Sequence, residues 1–201
     1  NDLGFYKFKQ VTHQGIPMVI ARMGYSRELS YELFLQDGSK GNDLWEMLWE
    51  AGQEFKISAG GPNIILRLEG GIFSYLADID RSNNPYEVGL DWLVDLEQED
   101  DFIGKEALRL VSQNGPTKKL MGAEIHGDPI EDSNADHWPV FINGKKVGSM
   151  NAMVYSPRLD KNICYTILDI EHAKSGQEIV IAAPEKDLMA TTVDLPWRER
   201  A

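Results

Sequence analysis

Beyond Gly115-Pro116 the sequence changes its periodicity, and that change constrains the fold more than any other feature. Six short runs rich in apolar and β-branched residues follow: Leu120 to Ile125, Trp138 to Ile142, Lys145 to Tyr155, Ile163 to Leu168, Glu178 to Ala183 and Met189 to Val193. They are closely spaced and no long helix separates them, which is the pattern of a small antiparallel barrel. Asn143-Gly144, between Phe141-Ile142 and Lys145-Lys146-Val147, predicts a type I′ hairpin, because both central residues tolerate positive φ. Asn114 to Lys119 is polar, carries Gly-Pro punctuation and follows a helical pattern. It is the expected boundary between a first domain, 1–116, and a second, 117–201.

The first part mixes both periods. Ile16 to Arg22 and Tyr31 to Gln36 read as strands around a polar turn, with Tyr31, Leu33 and Leu35 on one face. A helix follows, capped by Asn42 or Asp43, with Leu44, Leu48 and Ala51 in one stripe and Met47 and Phe55 close by. Gly60-Gly61-Pro62 breaks the chain. Pro62 suits the first turn of a short helix through Glu69, which Gly70-Gly71 ends. Asp80 to Gly89 is rich in turn residues, and Asp101 to Asn114 reads as a helix with Ala107, Leu108 and Val111 on its apolar side. The fold class is α+β.

Composition excludes several functions. The net charge of −12 repels polyanions, which argues against nucleic acid, and the lysine pairs Lys118-Lys119 and Lys145-Lys146 are too short for a polybasic membrane patch. No apolar run approaches the roughly 20 residues of a membrane-spanning helix. The single cysteine, Cys164, cannot form an internal disulfide, which fits a reducing, cytoplasmic compartment, and its apolar surroundings predict an inert core thiol. The N-terminus lacks the basic and apolar regions of a signal peptide. Its first residue is Asn, as expected of a chain that begins inside a longer gene product. There is no phosphate-binding glycine motif, no GxSxG elbow, and no close pair among His13, His126, His137 and His172 that would suggest a metal. The acidic residues Glu97, Glu99, Asp100 and Asp101 read as the solvated approach to a helix N-terminus.

Three stretches carry a family resemblance. Gly24-Tyr25-Ser26-Arg27-Glu28-Leu29-Ser30-Tyr31-Glu32 resembles the Gly-Tyr-Thr-Gly-Glu-x-Gly-Phe-Glu segment of the glycine cleavage T protein (aminomethyltransferase) family. Leu66-Arg67-Leu68-Glu69-Gly70-Gly71, then Asp78-Ile79-Asp80, then Asn84 to Trp92, is similar to a second run. Asp101-Phe102-Ile103-Gly104-Lys105-Glu106-Ala107-Leu108 is similar to a third. Trp138-Pro139-Val140, Gly144 to Gly148, Ser156-Pro157-Arg158-Leu159, Gly176 and Leu195-Pro196-Trp197 keep the family's order. Two positions depart from it. Asn63 stands where the family has an arginine, and Arg27 where it has a glycine. With Ser156 to Asn162, these departures resemble a side branch that includes dimethylsulfoniopropionate demethylase.

The resemblance implies a partial folate-binding α/β domain followed by a small antiparallel β-barrel domain. It implies tetrahydrofolate as cofactor and a small-molecule one-carbon donor, either aminomethyl or methyl. Glu32 would accept the ring N–H and exocyclic amine of a pterin in a fork. Tyr25 would pack on the pterin or its aminobenzoyl arm. Asn63 would be a neutral partner in place of the family arginine, and Arg198 or Arg200 would meet the folate carboxylates. Arg67 and Glu69, two apart on a helix, do not face each other and read as structural. The resemblance assigns no catalytic residue, since catalysis would be by positioning. Family members are longer, and the material before Gly24 is too short to hold their N-terminal half. The isolated chain is therefore expected to be inactive, with Arg22, Tyr25 and Glu32 lining an open groove and with self-association through the incomplete folate domain. The alternatives are a non-catalytic folate-binding or regulatory module, and the folate region of a larger demethylating dehydrogenase.

Overall fold

The computed structural model describes residues 3–133 and 136–197. They fall into two compact units, one up to Leu66 and one from Arg67 onward.

The first unit is a three-stranded antiparallel sheet, β1 (Phe8–His13), β2 (Ile16–Ala21) and β3 (Glu32–Leu35), in the order β1-β2-β3. Strand β1 has no counterpart in the sequence reading. It is a largely exposed edge strand whose apolar–polar alternation is weak, and it joins β2 through Gln14-Gly15, both at positive φ. Alternation puts Val11, Ile16, Met18, Ile20, Leu33 and Leu35 on one face. Helix α1 (Gly41–Gly52) lays Leu44 and Met47 on that face.

Two expectations about α1 are corrected. Asn42 and Asp43 do not cap it. Asp37 instead caps a preceding 3-10 turn, accepting from Ser39 N at 3.0 Å, and the helix runs on from that turn. Leu48 and Ala51 of the expected stripe, and Phe55 close by it, are exposed, and only Leu44 and Met47 join the apolar cluster on the sheet. Helix α2 (Ile64–Glu69) starts two residues after Pro62, not at it. Its cap is Asn63, whose Oδ1 accepts from Ile65 N at 2.8 Å and Leu66 N at 3.2 Å.

The second unit begins with the end of α2. Gly71, at φ +66, donates to Leu68 O, and Ile72 N donates to Arg67 O, the paired bonds that close a helix through a left-handed glycine. A turn-rich segment leads to α3 (Lys105–Asn114). This helix starts four residues later than the expected Asp101, because Gly104 takes φ +93 and breaks the run. Ala107 is exposed, while Leu108 and Val111 are half-buried. Then come β4 (Lys118–Ile125), β5 (Trp138–Ile142), β6 (Lys145–Ser156), β7 (Lys161–Asp169), β8 (Glu178–Ala182) and β9 (Asp187–Val193). They form a closed antiparallel barrel in the order β4-β7-β6-β5-β8-β9. All six expected strands are present, and Asn143 and Gly144 have φ of +50° and +77°. Met121, Val140, Val147, Met150, Cys164, Leu168, Ile179 and Ile181 fill the interior.

The same unit holds a buried polar network. A bulge after Met150 leaves Asn151 unpaired in the β6–β7 ladder and turns its amide onto Asp78 O. Asp78 pairs with Arg67 and accepts from Ser74 N at 2.6 Å. Glu69 accepts from Ser156 Oγ at 2.6 Å and lies 3.8 Å from Arg158. The Tyr165 hydroxyl lies 3.1–3.2 Å from the carbonyls of Arg67, Leu68 and Ile72, which the end of α2 leaves open. Arg67 and Glu69 are thus buried, each with its own partner. The Tyr165 ring stacks on Trp197 at 6.2 Å, and Gly122 leaves room for that indole.

Candidate functional site

The connection from β2 to β3, residues 22–31, folds back on itself. The Ser30 hydroxyl lies 3.1 Å from both Met23 O and Glu28 O, and Glu28 N donates to Ser26 Oγ at 3.3 Å. Gly24 sits directly beneath Ser30, where a Cβ would overlap the hydroxyl, so the motif needs glycine there. Arg27 takes φ +55. A left-handed conformation costs a side-chain-bearing residue on the order of 1 kcal/mol, which explains why a glycine suits this position of the motif.

This loop and the segment Gly61–Asn63 border a cavity of about 320 Å³, within the usual range for a small-molecule site. Tyr25, Glu32 and Asn63 all line it, and Ser26, Ser30 and Tyr31 complete its polar wall. Glu32 opens β3 opposite Ala21, so the sheet fixes its backbone at the edge of the cavity that it lines. Tyr25 and Tyr31 are 45% and 41% exposed, leaving both phenol rings available to a flat ligand. Asn63 spends its Oδ1 on the α2 cap and keeps only its NH2 as a donor.

Two expectations are corrected here. Tyr31 does not join Leu33 and Leu35 on the core face. The strand begins one residue later, at Glu32, and Tyr31 lines the cavity instead. Arg22 does not line it either. Its N–H continues the β1–β2 ladder to Lys7 O, and its guanidinium donates to Leu3 O at 3.2 Å. Arg198 and Arg200 lie outside the described residues. Ser26 and Ser30 fall inside the first motif, but their loop hydrogen bonds carry no signal in the sequence.

Among the described residues no group of three or more His, Cys, Asp or Glu side chains could hold a metal ion, and no helix is long and apolar enough to cross a membrane. Cys164 is fully buried inside the barrel, and burial pushes its thiol well above the ordinary range.

The sheet-and-helix unit with its loop cavity and the six-stranded barrel define the class. Residues 1–98 match the family profile described as the GCVT N-terminal domain, and residues 118–197 match the glycine cleavage T-protein C-terminal barrel domain. The chain belongs to the glycine cleavage T-protein family. It is 32% identical over 199 residues to dimethylsulfoniopropionate demethylase DmdA of Ruegeria pomeroyi, covering 98% of this chain and 53% of that protein. It is also 32% identical over 205 residues to an aminomethyltransferase of Bacillus mycoides, covering 100% of this chain and 54% of that one. In fold it is similar to the crystal structure of the glycine cleavage system aminomethyltransferase T from Bartonella henselae. The TM-score is 0.84 at 22% identity, over 100% of this chain and 54% of that one. The chain spans about half the length of the curated relatives it matches.

Proposed function

We propose that the chain is part of a tetrahydrofolate-dependent one-carbon transferase and that the cavity around Glu32 receives the pterin. One observation carries the reading: a carboxylate, two exposed phenols and an amide donor converge on one small cavity built by the motif that resembles the family. A carboxylate accepts two parallel N–H donors in a charge-assisted fork, and a pterin edge offers such a pair. Tyr25 and Tyr31 suit its flat ring. Bound tetrahydrofolate supplies the nitrogen that accepts the one-carbon unit. The protein's own residues bind and orient, with no nucleophile asked of them. Arg198 belongs to this proposal as a partner for folate carboxylates.

A demethylase and an aminomethyltransferase are each 32% identical to this chain, which supports a small-molecule donor of either kind, methyl or aminomethyl. The span of about half the relatives' length supports the second reading, a folate-binding portion that depends on further protein for catalysis. On that reading the 201-residue chain shows no turnover alone. Exposed Trp45, Trp49 and Phe34 support self-association. A reducing, cytoplasmic setting is supported by the single buried cysteine.

The test is calorimetric titration with tetrahydrofolate. Glu32→Gln removes the charge from the fork and should weaken binding by about 1.5–3 kcal/mol. Equal affinities would remove Glu32 from the site.

A further inference from the structure

A second cavity, also of about 320 Å³, lies at one end of the barrel. The connection from β4 to β5, the start of β5, the second half of β6 and the turn from β8 to β9 border it, all within the second unit. Met153 belongs to the barrel core, and the half-buried Ile130, Trp138 and Leu188 pack against that core. All four line the cavity, so the core presents apolar surface at this end. The wall is tied in place before any ligand arrives. Ile130 N donates to Asn162 Oδ1 at 2.8 Å, and Asn162 Nδ2 donates to Asp128 O at 2.9 Å. Asn162 is buried near the start of β7, so the β4–β5 connection is held to the barrel. Two charged residues complete the lining, Glu185 and Lys186, both exposed on the β8–β9 turn. Neither makes a hydrogen bond or ion pair with any described residue, the other included. A simple acid entering the cavity meets Glu185, and a simple base meets Lys186, each at a cost. A molecule that carries both charges side by side is met favourably by both.

We infer that this barrel-end cavity binds a free α-amino acid with a large apolar side chain, an aromatic one best. The apolar lining takes the side chain, Lys186 meets the α-carboxylate and Glu185 the α-ammonium. Trp138 and Met153 both favour an aromatic partner, through ring–ring and sulfur–ring contacts. The volume stands at the low end of the range for small-molecule sites, which suits a single amino acid. Because the wall is already ordered, little conformational entropy is lost on binding. The inference is independent of the folate reading, since no residue of this cavity lines the one around Glu32.

Titration calorimetry on the whole chain compares L-phenylalanine with three probes. Glycine lacks the apolar body, phenylalaninamide lacks the carboxylate, and N-acetylphenylalanine lacks the ammonium. Phenylalanine is expected to bind and glycine to give no saturable heat. Each blocked probe is expected to bind about five-fold more weakly than phenylalanine, the effect of losing one exposed ion pair. Lys186→Gln should level phenylalanine with its amide and leave the N-acetyl difference standing. Glu185→Gln should do the reverse. Both positions are exposed on a turn, so neither variant should lower the melting temperature, and lost discrimination then cannot be assigned to unfolding. Failure of phenylalanine to bind, or glycine binding as tightly, overturns the inference. So does a variant that leaves its own ratio intact, since the ligand then sits elsewhere on the chain.

Discussion

Single residues in this chain are decided by what surrounds them. Cys164 faces the closed barrel interior with no basic group beside it, so its thiolate is disfavoured. A thiol reagent should leave it unmodified in the native chain and label it fully in denaturant. Labelling without denaturant would show that the barrel opens. A Cβ at Gly148 would overlap the Ile167 carbonyl across the β6–β7 ladder, and a backbone atom cannot step aside. Gly148→Ala should destabilise the chain by about 1–3 kcal/mol in urea unfolding. At the surface, the hydrogen bond from Lys145 and its charge hold the Glu171 carboxyl below its ordinary value, and Ser39 does the same for Asp37 through its hydroxyl and N–H. A carboxyl depressed in the folded state adds stability above its unfolded pKa and loses it as pH falls through the folded one. The urea midpoint should therefore drop as pH falls below about 4, and Lys145→Ala should flatten part of that slope. An unchanged slope would remove this pair from the acid limb.

At the scale of elements, local chemistry was legible where it acts alone. Asn143-Gly144 forms its hairpin turn because two residues at positive φ suffice to set it. Strand β1 carries no strand signal in its sequence because its apolar alternation is weak, as five of its six residues are exposed. Helix α3 starts at Lys105 and not at Asp101 because Gly104 holds φ +93, a break that its residue type alone does not announce. Asn63 shows how one side chain answers two questions. It lines the cavity, but its oxygen caps α2. Asn63→Ala should lower stability by about 1 kcal/mol through the lost cap, and Asn63→Asp should keep that stability. Thermal unfolding of the two variants checks the cap independently of any ligand.

The whole molecule raises the question of which pieces stand alone. We propose that residues 117–201 form a domain that folds by itself around the closed barrel. Cutting there removes the hydrogen bonds that the segment from Arg67 to Asp78 makes to Tyr165, Asn151 and Ser156. Buried groups left unsatisfied cost about 1–3 kcal/mol each. The fragment 117–201 should thus unfold cooperatively but at lower urea than 67–201. A non-cooperative transition for the shorter piece would reject the boundary, and equal midpoints would show that the network adds nothing.

The sequence by itself determined the α+β class, all six barrel strands, the hairpin at Asn143-Gly144 and the motif that brings Tyr25 and Glu32 into one segment. Those features depend on residue periodicity, on turn residues or on neighbours a few positions away, and such information is local. Only the tertiary structure decided that Tyr31 lines the cavity and Arg22 does not, that Asn63 joins Tyr25 and Glu32 across the loop while capping a helix, and that Asp78 and Asn151 belong with Arg67. Each of these depends on where a strand starts, where a bulge falls or which buried group lacks a partner. No spacing in the chain encodes those contacts, because they join residues as far apart as Asp78 and Asn151 through packing alone.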